Sequence, residues 1–188
     1  MGLLVLLKPF WAWPLTAFKS PAISFLSFFA LCCLLILFFP QLQGESIWSI
    51  RVQTQDIPTA VSHLLLTGTY PLFPWVLFAS LGGLLQLIDR QSLTSFYAGF
   101  ITFGLIFSSL TLAYSVSTQQ PWALPSGDAT LTFFPSNAPF LVAAMTGVLL
   151  FWSTSLRFLS QAKLLAQTGR VSLTVYVAHF VPLTLFHT

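Results

Sequence analysis

Imidazole titrates near pH ~6.5, which suits it to proton transfer at neutral pH. The chain has three such groups, His63, His179 and His187. His179 has polar neighbours at helical spacing. Ser172, Tyr176 and His179 fall at i, i+4 and i+7 of an apolar run, so a helix would align them as a polar stripe on one face. An ionisable group inside an apolar segment is costly and faces a bundle interior or a water-filled cavity. The stripe then lines a polar path with Arg170 at its mouth, or His179 is a neutral group bonded to a neighbouring helix. His63 lies in a polar stretch with Asp56 and Tyr70. It is either a general base beside a carboxylate or a solvated loop histidine. His179, Tyr176 and His63 are thus the candidate catalytic residues.

Other chemistries find no footing in the sequence. It contains no GxGxxG, P-loop or HExxH pattern and no GxSxG elbow. The histidines do not cluster with carboxylates, so no metal is expected. Cys32 and Cys33 are adjacent within an apolar run, a spacing that suits neither a structural disulfide nor a metal site. They read as small apolar filler or as acylation sites.

The elements that would carry these residues follow from charge and hydropathy. The 188 residues are 56% hydrophobic and 6% charged, with 20 Phe, and the mean hydropathy is +0.85. Soluble domains carry about 25% charged residues. Eleven charged side chains cannot coat a soluble globule of this size, and the tracts 22–40 and 91–120 carry none. A soluble fold, a disordered chain and a nucleic-acid binder are excluded. An all-α, polytopic transmembrane helix bundle remains.

A span needs about 20 mainly apolar residues. Five segments qualify, at 22–39, 72–88, 92–116, 138–156 and 171–186. The stretch 3–18 is interrupted by Lys8, Pro9 and Pro14 and reads as an interfacial or truncated segment, with Trp11 and Trp13 at headgroup level. A short helix is expected near 57–66, with Asp56 as its cap and Pro58 in its first turn. Residues 160–169 read as an amphipathic connector. Ala79 with Gly83, and Ala143 with Gly147, are small residues at helix-packing spacing. In this layout Lys19, Arg90, Arg157, Lys163 and Arg170 share one face, while the opposite loops hold only Arg51 as a cation. Positive charge marks the cytoplasmic side, so Lys19, Arg90 and Arg170 would face the cytoplasm.

The run Leu65-Leu66-Thr67-Gly68-Thr69-Tyr70-Pro71-Leu72-Phe73-Pro74-Trp75, followed by Gly82-Gly83 and Asp89-Arg90, resembles bacterial relatives of heparan-α-glucosaminide N-acetyltransferase. These are multi-pass proteins of the transmembrane acyltransferase superfamily. Their pattern is a TGxYPxxPW entry, a helix with a small-residue patch and a Gly-Arg exit; here the exit lacks the glycine. Asn137-Ala138-Pro139-Phe140 and Thr146-Gly147-Val148 resemble the family's next helix entry. Gly169-Arg170-Val171-Ser172-Leu173-Thr174-Val175-Tyr176-Val177-Ala178-His179 resembles its GRxSLTxYxxH segment. The resemblance covers about 65–181.

The family's RGxAxxGM first helix has no counterpart here. The chain therefore resembles the C-terminal portion of a larger acyltransferase-like fold, and the family's catalytic residues are not carried over. The resemblance implies acyl transfer from cytoplasmic acetyl-CoA or another acyl-CoA, a co-substrate rather than a tightly bound cofactor, to an extracytoplasmic sugar-type acceptor. Arg170, Arg90, Lys163 and Arg157 would attract the CoA phosphates. The expected location is the bacterial inner membrane, with the lipid bilayer and a missing N-terminal half or another membrane subunit as partners. Two alternatives stand beside this reading: a non-catalytic accessory or assembly subunit, and a transporter of a small polar or lipid-linked substrate.

Overall fold

The structure, a computed structural model, describes residues 12–159, apart from the side chains of Arg90 and Leu159. The expected span at 171–186, with His179, Tyr176, Arg170 and Lys163, lies outside the described residues. The described part is mostly helical. A 3-10 turn at Trp13–Thr16 leads to α1, Pro21–Phe38. The Ser24 hydroxyl accepts from the Phe18 N–H at 2.9 Å and donates to the Ser20 carbonyl at 3.1 Å, which fastens the entry.

One face of α1 is buried, carrying Phe25, Phe29, Cys32 and Ile36, spaced four, three and four residues apart as an α-helical stripe requires. Ile23, Leu26, Leu31, Leu34, Leu37 and Phe38 are exposed. A helix this apolar on its open faces needs hydrocarbon around it rather than water. Cys32 and Cys33 are both free thiols, the first in the buried stripe.

After a 3-10 turn at Pro40–Gln43 come two short helices, α2 at Trp48–Val52 and α3 at Ile57–Ser62. The Asp56 carboxylate caps α3, accepting from the Thr59 N–H at 2.8 Å. The side chain and backbone N–H of Thr59 hold the Asp56 carboxyl below its ordinary range. A π-helical turn, His63–Thr67, extends α3. Next is α4, Leu72–Leu87, with Pro74, Leu77, Ser80, Leu81 and Leu84 on its buried face. Asp89 caps α5, Arg90–Thr118, by accepting from the N–H groups of Gln91 and Ser92. Two-residue strands β1 (Ala123–Leu124) and β2 (Leu131–Thr132) pair in parallel. Then α6 runs over Ala138–Thr154. Asn137 starts it: its side-chain oxygen accepts from Phe140 N–H at 3.0 Å and Thr132 N–H at 3.2 Å, while its amide donates to the Thr130 carbonyl.

Three segments, Pro21–Phe38, Gln91–Thr118 and Ala138–Phe158, are long and apolar enough to cross a membrane. At 16 residues α4 is short of the ~20 a straight span needs. Joined to Ile57–Thr67 it makes a fourth candidate, bent by 47°. The short helix expected near 57–66 is therefore the first arm of a bent pair.

α1 packs on α4 and meets α5 through rings: Phe25 on Phe96 at 6.0 Å and Phe29 on Phe100 at 5.6 Å, both edge to face. α5 approaches α6 at Gly104, where an added Cβ would lie 1.8 Å from Thr146 Oγ1 and 2.8 Å from its Cβ. Gly147, singled out from its spacing, faces open space instead. Gly104→Leu is expected to force the two helices apart and destabilise the bundle by about 1–3 kcal/mol, read as a lowered midpoint of thermal unfolding in detergent. Gly147→Ala should leave that midpoint unchanged.

The chain divides into two units at Leu149–Leu150. The first holds everything described above up to Leu149. In the second, residues 150–159 are described: they complete α6 and form a π-helical turn, Ser155–Leu159, where the Arg157 guanidinium lies 5.7 Å over the Phe158 ring.

Candidate functional site

Two loops, residues 39–71 and 119–137, link α1 to α4 and α5 to α6. They meet through Gln43, only 3% exposed, whose side chain donates to the Ser136 carbonyl at 2.7 Å and accepts from the Ser136 N–H at 2.9 Å. This two-way amide bond spans 93 residues of sequence. Gln43 in turn touches Arg51, the most buried charge among the described residues, at 4% exposed. Arg51 donates to three carbonyls: Nε to Glu45 at 2.5 Å, Nη1 to Gly68 at 2.9 Å and Nη2 to Gln43 at 2.7 Å. Its guanidinium also lies 5.9 Å from the Phe134 ring centroid. The rigid planar fork of arginine suits such a three-point clasp. Burial pulls its pKa down from the ordinary value.

On this platform an aromatic group assembles. Trp75 sits 5.0 Å from Phe133, which is edge-on to Phe134 at 4.4 Å and to Phe140 at 5.3 Å. Tyr70 lies 6.1 Å from both Trp75 and Phe133, and is 72% exposed. Tyr70 and Trp75 therefore form one edge of an aromatic cluster contributed by both loops, α4 and the start of α6.

The imidazole of His63 lies at the start of the π turn. Its Nε2 is 3.1 Å from the Gln53 carbonyl and its Nδ1 is 2.8 Å from Thr67 Oγ1. A carbonyl only accepts, so in the neutral ring Nε2 carries the proton and Nδ1 accepts from the Thr67 hydroxyl. The Thr67 oxygen then accepts from Ser62 Oγ, 3.0 Å away. The result is a chain of three groups, Ser62 to Thr67 to His63, with the ring oriented by Gln53. A hydroxyl on an imidazole whose other nitrogen is anchored is the arrangement that activates a weak nucleophile.

Two glycines make this geometry. A Cβ on Gly68 would sit 2.3 Å from the His63 carbonyl oxygen, to which the Gly68 N–H donates at 3.0 Å in closing the π turn. Gly44 has φ +70°, and a Cβ there would meet Thr67 Cβ and Cγ2 at 3.0 Å. Bare backbone at 44 thus gives the Thr67 side chain its room.

The sequence candidates distribute unevenly. His63 is placed with Thr67 and Gln53; the Asp56 carboxylate bonds Thr59 rather than the ring. Tyr70 belongs to the aromatic cluster. Arg157 stacks on Phe158. His179, Tyr176, Arg170 and Lys163, and the side chain of Arg90, are outside the described residues. Thr67, Ser62, Gln43, Arg51 and Phe133 were not singled out as site residues. The i, i+4 spacing of His63 and Thr67 was the available signal. Among the described residues no group of His, Cys, Asp and Glu is arranged to hold a metal. The cavity of about 630 Å³ lined by Phe29, Cys33, Phe96, Phe100, Phe103 and Val142 is apolar and contains none of the candidates.

A scan against protein-family models finds no match, and searches of the curated proteins and of the solved structures find none either.

Proposed function

We propose that the chain is a membrane-integral acyl-transfer protein whose loop end handles the acceptor side of the reaction. The observation that carries this reading is the His63 imidazole, anchored through Nε2 to the Gln53 carbonyl, with the Thr67 hydroxyl on Nδ1. An imidazole so placed takes a proton from a hydroxyl at Nδ1. The run Leu65–Trp75, where the resemblance to the transmembrane acyltransferases is densest, supports the reading because it supplies Thr67, Gly68, Tyr70 and Trp75 to this same loop end.

In this proposal the protein lies in the bacterial inner membrane with five spans, the last at 171–186. Lys19, Arg90, Arg157, Lys163 and Arg170 face the cytoplasm, and the loop end lies outside. Acyl-CoA arrives at the cationic face, where Arg90, Arg157, Lys163 and Arg170 attract its phosphates. Tyr176 and His179 line the path between the faces, and a sugar-type acceptor takes the group at the loop end. Another membrane subunit is its partner in this proposal. A second reading, a non-catalytic accessory subunit, is favoured by one fact: both ring nitrogens of His63 have partners inside the chain.

His63→Gln separates the two. In proteoliposomes given labelled acetyl-CoA and an amino sugar, the substitution is expected to lower transfer at least 100-fold while expression and thermal stability stay close to wild type. Equal transfer by the variant would remove His63 from the chemistry. No transfer by the wild type, with another membrane protein co-purifying, would establish the accessory reading.

A further inference from the structure

We infer that Thr67 itself receives the acyl group first, as an O-acyl ester, from a donor of the acyl-thioester class; this rests on the acyl-transfer reading above. The argument is one of access to the base. With the Nε2 proton committed to the Gln53 carbonyl, the only lone pair on the ring is at Nδ1, and the Thr67 hydroxyl occupies it at 2.8 Å. An external acceptor cannot give His63 its proton without first displacing Thr67. The proton that His63 is placed to take is Thr67's own.

The surroundings hold Thr67 for that role. Its methyl side faces the bare backbone of Gly44. Its oxygen takes a further hydrogen bond from Ser62 at 3.0 Å, which stabilises the negative charge that grows there as the proton leaves. Gly68 closes the turn so that His63 and Thr67 sit one above the other.

The step balances in two halves. The thioester end of the donor reaches the loop end along the path from the cationic face, and there the Thr67 Oγ–H proton passes to His63 Nδ1 as the oxygen bonds to the thioester carbonyl carbon. The carbon–sulfur bond breaks, and the leaving thiolate takes the proton from the imidazolium. In the second half, an acceptor hydroxyl or amine gives its proton to Nδ1 and bonds to the ester carbonyl. Thr67 Oγ leaves and recovers the proton. No oxidant, reductant or metal is required.

The test uses the full chain in lipid nanodiscs, mixed with deuterated acetyl-CoA without acceptor, quenched in acid and digested for mass spectrometry. The expected result is one acetyl group on the peptide containing Thr67. It should be absent in Thr67→Val, retained on the serine in Thr67→Ser, and at least tenfold weaker in His63→Gln. Thr67→Val keeps the branched shape against Gly44, and the wild-type adduct reads the outcome even where that variant folds poorly. An adduct on any other residue overturns the assignment. So does wild-type transfer to an amino sugar with no adduct at Thr67, which leaves direct transfer as the mechanism and the acyl-transfer reading intact. Absence of both adduct and transfer overturns the two together.

Discussion

Arg51→Met is expected to unfasten the two loops and to destabilise the protein by about 3 kcal/mol or more. Methionine fills a similar volume but donates nothing, so the carbonyls of Gln43, Glu45 and Gly68 lose their shared donor. Leaving one buried acceptor unmade costs about 1–3 kcal/mol, and the Gln43 and Gly68 bonds are both buried. The loss of charge itself works the other way, since burying a cation without a partner is unfavourable. Three orphaned carbonyls outweigh it because the loops must open to wet them. Thermal unfolding in detergent measures the total. Hydrogen exchange locates it: faster exchange at 43–68 and 131–137, with α1 and α5 protected as in wild type. Arg51→Lys keeps the charge but not the fork, and should recover only part of the loss. A methionine variant that melts and exchanges like wild type would show that the loops are held by something else.

Gly68→Ala is the second large effect, and it acts on the site rather than the whole bundle. The added Cβ would fall 2.3 Å from the His63 carbonyl oxygen, a backbone atom that cannot step aside. The π turn must open, and with it goes the 2.8 Å approach of Thr67 to His63. Gly68 also supplies one of the three carbonyls held by Arg51, so the platform shifts as well. Acyl transfer should fall to the level of His63→Gln, while α1, α5 and α6 retain their helicity by circular dichroism. Full activity in Gly68→Ala would mean that the closed turn is not needed for the chemistry.

Much of the helical frame was legible before the structure. The apolar run of α1 is bounded by prolines 21 and 40, and the helix spans Pro21–Phe38. Asp56 and Pro58 signalled the start of α3, because capping depends on residues two or three apart. Asp89 and Asn137 cap α5 and α6 by the same local rule. The bend between the 57–67 arm and α4 was less visible, since the run 57–88 is apolar on both sides of Gly68–Pro71 and hydropathy does not record direction.

The platform was illegible for a different reason. Arg51 read as the one cation of the opposite loops, and Gln43 as an ordinary loop residue, because Gln43 matters through a contact 93 residues away and Arg51 through its burial among carbonyls. Phe133 was one of 20 phenylalanines until Trp75 and Phe140 closed on it. Thr67 lay inside the quoted run Leu65–Trp75, yet a run of letters does not say which of its members faces an imidazole. Its i, i+4 spacing to His63 carries that information only where the turn continues through 67, one residue past the helix expected near 57–66.

In the proposed reaction an acyl group crosses from a cationic face to the loop end, where Thr67 and His63 hand it on, and the side on which product forms reads this out. Oriented proteoliposomes would carry an amino sugar sealed on the loop-end side and labelled acetyl-CoA on the other side only. Acetylated sugar is expected in the sealed compartment, at a rate at least 100-fold above His63→Gln vesicles of equal protein content. Product formed only when donor and acceptor share one compartment, or formed equally well by the variant, would contradict it.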